Sequence, residues 1–164
     1  MTYMSIVTDE GTAATLDEVT AWFFEDYLPR WVAAARGVEG PEFIHQYWGT
    51  PMHVTGQGMS FWCLDDASVL GFLEMNYAPL REGGYSHTVV PDRRVSVYSP
   101  VGAAIEVIWS RRSAGEVEIQ RWATHFEVAK SDAGWRVIGV QATATDKDHL
   151  DEVWPRVTTG DQHA

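Results

Sequence analysis

Apolar residues recur at three- and four-residue spacing in the first half of the chain and alternate or run together in the second. Thr15 with Glu18 three positions on reads as a capping box, and Leu16, Val19, Phe23 and Tyr27 follow at helical spacing, with Trp22 and Trp31 widening the apolar face. Pro29 should kink or divide this helix, because proline lacks an N–H and its ring meets the carbonyl one turn back. Gly37 should stop it, and Pro41 can open a short second helix, Pro41–Trp48. A Gly49-Thr50-Pro51 turn precedes two short extended runs, Met52–Thr55 and Met59–Leu64. Asp65 or Asp66 then caps a helix whose core stripe is Val69, Phe72, Leu73, Tyr77 and Leu80. Pro79 weakens its last turn and Gly83-Gly84 ends it.

Beyond Tyr85 the pattern predicts strands at Ser86–Tyr98, Ala103–Arg112, Glu116–Lys130 and Trp135–Thr143, rich in Val, Ile, Trp and Thr. The breaks between them are too short for parallel crossovers, so the neighbours are antiparallel. Strands this long in a twisted sheet must bend, and a bent sheet has a hollow side for helices to fill. The expected fold class is therefore α+β, with N-terminal helices packed in the concave face of a strongly curved antiparallel β-sheet and a pocket between the two. Residues 1–14 are expected to be a flexible N-terminus, 15–145 the domain, and 146–164 a C-terminal extension with a short helix and a flexible tail whose last part, 159–164, is small and polar.

The chain has 164 residues, a formal net charge of −11 and a single cysteine, Cys63. One cysteine cannot form an internal disulfide, and the Phe-Trp-Cys-Leu context makes Cys63 a small buried hydrophobe. An acidic surface repels phosphate backbones, so neither nucleic acid nor an anionic membrane is an expected partner. Arg93-Arg94 and Arg111-Arg112 are the basic pairs, and solvation of strand ends accounts for both. No run is long and apolar enough for a membrane span and the start lacks a signal-peptide pattern, so a cytoplasmic protein is expected. Eight tryptophans exceed what a small core absorbs, so some rings should line a cavity or cover an interface.

The stretches TVVPDRRVSVYSPVGAAIEVIWSRR and VEIQRWATHFEVAKSDAGWRVIGVQAT, with a short turn leading into a Gly-Trp-Arg-Val-Ile strand, resemble the nuclear-transport-factor-2-like superfamily. That superfamily includes SnoaL-like polyketide cyclases, ketosteroid isomerase, scytalone dehydratase and limonene epoxide hydrolase. The resemblance implies a cone-shaped, cystatin-like α+β barrel. It also implies a cofactor-independent acid–base enzyme, of cyclase, isomerase or dehydratase type, acting on a small apolar oxygenated substrate. Ketosteroid isomerase carries its two acids where this chain has Thr55 and Thr124-His125-Phe126, which argues against steroid-type isomerisation. Scytalone dehydratase uses a Tyr and an Asp of its first helix and two strand His; the positions here offer Asp26, Tyr27, His87 and Glu106.

His87, just after a Gly-Gly break, is the side chain best suited to proton transfer if it faces the cavity. Glu106 stands in the apolar Ala-Ala-Ile-Glu-Val-Ile-Trp strand and would be a tuned acid or base if it pointed inward. Tyr27 could polarise a substrate oxygen; Asp26, next to it, cannot face fully inward at the same time. Trp22, Tyr47, Trp48, Phe61, Trp62, Trp122 and Thr124 are the candidate ligand-binding residues. His45, His53 and His125 lack metal-site spacing, so neither a metal nor a cofactor is expected. Ile105, Val107 and Trp109 share one strand face, read as the outer one, where a homodimer would cover them. The alternative is a non-catalytic domain of the same fold that binds a ligand or a protein.

Overall fold

Pro29 shapes the first helical layer. The computed structural model describes residues 2–154, with side chains from residue 10 onward, so the tail expected at 159–164 lies outside the described residues. Helix α1 (Thr2–Thr20) passes into a π-helical segment, Ala21–Tyr27, and then into α2 (Leu28–Ala35). Pro29 has no N–H to give the Glu25 carbonyl, and the preceding turn widens, with the Leu28 N–H bonding to the Phe23 carbonyl five residues back. The expected division is thus absorbed as a wide turn. The Thr15 capping box does not form. Thr15 sits in mid-helix and its hydroxyl donates to the Gly11 carbonyl at 3.0 Å. Helix runs upstream through the stretch expected to be flexible, where Gly11, at ~1 kcal/mol, is the only strong breaker and the alanines favour helix. Leu16, expected on the core stripe, is exposed, whereas Val19, Phe23 and Tyr27 are buried.

The helix ends in a Schellman motif: Gly37, at φ 77°, donates to Ala34 and Val38 donates to Ala33. Pro41–Gln46 is a 3₁₀ helix, and Trp48, expected to end it, instead opens strand β1 (Trp48–Gly56), so the anticipated turn at Gly49–Pro51 is irregular strand. Strand β2 (Met59–Cys63) folds back on β1. Helix α3 (Asp66–Glu82) is capped by Asp65, which accepts the Ser68 N–H at 2.8 Å while Ser68 Oγ accepts the Asp65 N–H. Its Val69, Leu73, Tyr77 and Leu80 are buried, as the stripe predicts.

The strand expected over Ser86–Tyr98 is broken around Pro91 into β3 (Tyr85–Val89) and β4 (Arg93–Ser99). Both lie antiparallel along one side of β5 (Gly102–Ser113), β3 against its end and β4 against its start. Strands β6 (Glu118–Ser131) and β7 (Gly134–Ala144) continue the meander, and β1 joins β7 in parallel, giving the order β2-β1-β7-β6-β5 with β3 and β4 on the far side. Register shifts at Arg111/Arg112, Glu127/Val128 and Trp48/His53 bend this seven-stranded, unclosed sheet.

Period two sorts β5 cleanly. Ile105, Val107 and Trp109 belong to the main core with Phe23, Tyr27, Phe126 and Val140. They face the helices, not solvent, which corrects the outer-face assignment and removes the apolar stripe that motivated a homodimer. The convex side instead carries a smaller cluster, Ile108, Ala123 and Leu150, covered by helix α4 (Leu150–Val153). No helix among the described residues is long and apolar enough to cross a membrane.

Phe23 is fully buried, with ring centroids 4.8 Å from Tyr27, 5.0 Å from Phe24, 5.0 Å from Phe126 and 6.1 Å from Trp109. It joins the π-helical segment to the sheet. Phe23→Ala is expected to destabilise the fold by about 3–5 kcal/mol, read as a lower urea midpoint with an unchanged m-value.

Candidate functional site

Between the hollow sheet face and the helices lies a cavity of about 230 Å³. Its buried end is formed by Tyr27 and Trp31 from the helical layer, Trp109 and Arg111 from β5, Phe126 from β6 and Val140 from β7. Trp48 and Thr124 add to the walls. The opening lies among Gln57 and Met59 of the β1–β2 hairpin, Met75, Asn76 and Pro79 of α3, and Gln120 and Trp122 of β6. Cross-strand pairing explains the sheet side: Trp109 stands opposite Trp122, Arg111 opposite Gln120 and Val107 opposite Thr124, and opposed residues share a face.

Of the residues singled out from the sequence, Tyr27, Trp48, Trp122 and Thr124 line this cavity. The others do not. Glu106 points to the convex side, where Oε1 accepts two bonds from Arg94 at 2.8 and 3.0 Å and Oε2 lies 3.2 Å from His125 Nδ1. It borders a polar groove there with His125, Gln141, Thr143 and Trp154. His87 pairs in register with Arg112, and its Nε2 lies 3.0 Å from Glu116. The two groups expected to move protons therefore contact polar partners outside the cone, because strand parity puts Glu106 and Arg112, the cross-strand partner of His87, on the face of β5 opposite Trp109. Asp26 is exposed and accepts the Tyr47 hydroxyl at 2.7 Å. Tyr47 is spent on that brace, which Arg30 extends by bonding to Glu39 at 2.6 Å. Trp22 packs on Phe23 and Tyr47, and Phe61 packs on Phe72. Trp62 is exposed on the outside of the sheet edge, against His53.

The residue that the sequence reading passed over is Arg111. It is 9% exposed, although it was read as one of a solvated strand-end pair. Its Cζ sits 4.0 Å from the ring centre of Trp31 and 5.3 Å from that of Trp109. Nη1 is buried without a hydrogen-bond partner. Tyr85, Tyr27 and Tyr77 are the ionisable groups that act on it, Tyr85 also as a side-chain hydrogen-bond partner, and among the described residues no carboxylate pairs with it. A buried ion without a counter-ion costs several kcal/mol, and stacking on two indoles, at ~2 kcal/mol for a desolvated case, offsets only part of that. Burial accordingly lowers the guanidinium from its ordinary value. Trp48 contributes a second buried donor, Nε1, also without a partner of good geometry.

Burial drives the Tyr27 phenol far above its ordinary value, against opposing pulls from the Trp48 N–H and the Arg111 charge. Tyr77 is raised in the same way, and its hydroxyl donates to the Trp31 carbonyl at 3.1 Å. Among the described residues no Asp, Glu or His lines the cavity. The polar side-chain atoms of this lining belong to Tyr, Trp, Thr, Asn, Gln and one Arg. Among the described residues no cluster of three or more His, Cys, Asp or Glu gathers.

A family model described as NTF2-like protein (DUF6841) matches residues 17–145. No curated protein matches the chain. Solved structures share its fold. An NTF2-like protein of unknown function from Pseudomonas putida KT2440 aligns with TM-score 0.58 at 14% identity, over 79% of this chain and 89% of its own. An NTF2-like protein with a cystatin-like fold from Novosphingobium aromaticivorans gives 0.56 at 14% identity, over 94% and 96%. A candidate ketosteroid isomerase from Parabacteroides distasonis gives 0.52 at 10% identity, over 71% and 83%.

Two measurements check these electrostatics. Arg111→Met, which keeps bulk and removes the uncompensated charge, is expected to raise the unfolding free energy by about 1–4 kcal/mol, visible as a higher Tm. A lower Tm would mean that the guanidinium is already satisfied. The raised phenols set the sign at alkaline pH. Below about pH 10, the ordinary phenol value, both folded and unfolded states hold their protons and the stability is fully present. Above it the unfolded chain ionises Tyr27 and Tyr77 while the folded one does not, so stability falls as pH rises. Ultraviolet titration of the six tyrosines is expected to leave at least two un-ionised at pH 11 until the fold gives way.

Proposed function

The chain belongs to the NTF2-like family DUF6841, and we propose on that footing that its cone is a receptor for a small, largely apolar molecule, acting by binding rather than by acid–base turnover. The observation that carries this reading is the lining: Trp31, Trp48, Trp109, Trp122 and Phe126 supply rings, and among the described residues no imidazole or carboxylate joins them. Apolar walls with a few placed polar groups are what a ligand site needs. A general base titrating near the working pH is what a cofactor-free isomerase, cyclase or dehydratase needs, and the lining supplies none. At about 230 Å³ the space is below the ~300–1,000 Å³ usual for drug-sized ligands, which suits a guest of one or two rings.

Thr124 stands mid-wall between Trp122 and Phe126 on the inward face of β6. Thr124→Phe is expected to occupy the guest's space and weaken binding of a small aromatic probe, such as indole, at least tenfold by calorimetry, with circular dichroism unchanged. Full-strength binding in that variant would place the guest elsewhere.

A further inference from the structure

Among the described residues Arg111 is the one charged side chain that lines the cavity, and this inference rests on reading the cavity as a binding site. Its Nη1 has no partner although the residue is nine-tenths buried, and the surrounding ionisable groups are phenols that stay neutral. A guanidinium remains protonated at ordinary pH and presents donors in a planar fork that fits a carboxylate on two atoms. Trp31 and Trp109 hold that fork by stacking, the Tyr85 hydroxyl engages it, and Nη1 is left without a partner. The Trp48 Nε1–H is a further unused donor in the same wall, and the Tyr27 hydroxyl feels both it and the Arg111 charge. The protein has thus built donors and a positive charge into an aromatic chamber where, among the described residues, the neighbouring acceptors are neutral phenols and no carboxylate answers the charge.

We infer that the guest is a monocarboxylic acid on a compact aromatic or alicyclic body, its carboxylate seated on Arg111 and its rings among the tryptophans. One cation favours one negative charge: a dianion such as a phosphomonoester would keep a second charge uncompensated among rings. A neutral analogue of the same shape would leave Nη1 without its counter-charge.

The test is calorimetric titration of the full chain at pH 8.5, where phenylphosphonate is a dianion, with benzoate and 2-naphthoate, their primary amides, and phenylphosphonate. The acids are expected to bind at least tenfold more tightly than the matching amides, and phenylphosphonate more weakly than benzoate. In Arg111→Met the acids are expected to bind at least tenfold more weakly than to wild type and to fall to within threefold of the amides measured on the same variant. Amides that bind wild type as well as the acids do would overturn the carboxylate assignment and leave the cavity reading standing. So would acid binding that survives Arg111→Met, or phenylphosphonate that outcompetes benzoate. Failure of all five probes to bind at millimolar concentration would sink both readings. The wild-type comparison decides the matter even if the variant does not fold.

Discussion

A positive charge shut away from water, with aromatic faces for neighbours and no acid beside it, governs the centre of this molecule. Arg111 lies against Trp31 and Trp109, and those rings in turn are held by Tyr77, Tyr85, Phe23 and Phe126. Replacing any of these rings by a smaller group would alter the stack that makes the buried cation tolerable. A core filled only with aliphatic side chains would have no means of holding a guanidinium at this depth, because the compensation comes from the negative ring face. The high aromatic content is therefore tied to the charge as well as to the volume of the core.

Strand β5 displays two ways of handling charge on opposite faces. On the convex side Glu106 is met by Arg94 from β4 and His125 from β6, and Arg94 continues to Asp151 of α4. Every member of that row has an opposite neighbour and some access to water, so each pair contributes little to stability. On the concave side Arg111 faces rings, with water excluded, where an unmatched charge has its largest effect. The contrast bears on chemistry: Glu106 and His125 border an open groove on the convex face, whereas the described residues that line the cavity include no carboxylate and no imidazole.

Most of the architecture was legible in the residue pattern. The capped helix at Asp65, the long antiparallel meander and the inward face of β6 all follow from spacing, because a half-buried element records its burial in its period. The break at Pro91 and the upstream run of α1 were not, since the first looks like a single β-rich stretch and the second has no cap. For the site, Tyr27, Trp48, Trp122 and Thr124 were readable as inward aromatic or strand positions. Arg111 was missed because the Arg111-Arg112 pair reads as a solvated strand end and the face that bears Ile105, Val107 and Trp109 reads as the outer one. The information needed was present in the pairing. Once Trp122 is inward, its cross-strand partner Trp109 must be inward too, and Arg111, two residues on, goes with it.

The helical layer reaches the same point from the other side. Phe23, Tyr27 and Trp31 are spaced four apart, and on a regular α-helix such a series drifts about 40° per step around the axis. Over two steps Trp31 would swing away from the face that holds Phe23. The widened turn before Pro29 offsets this drift, since more residues per turn bring a four-residue spacing closer to a full revolution. All three rings then face the sheet, with Phe23 on Phe126, Tyr27 beside Phe23, and Trp31 over Arg111. A proline that by its chemistry disturbs a helix is in this way coupled to the placement of the ring that shields the buried cation. The same wide turn sets where the cavity begins, because Tyr27 and Trp31 form its helical wall.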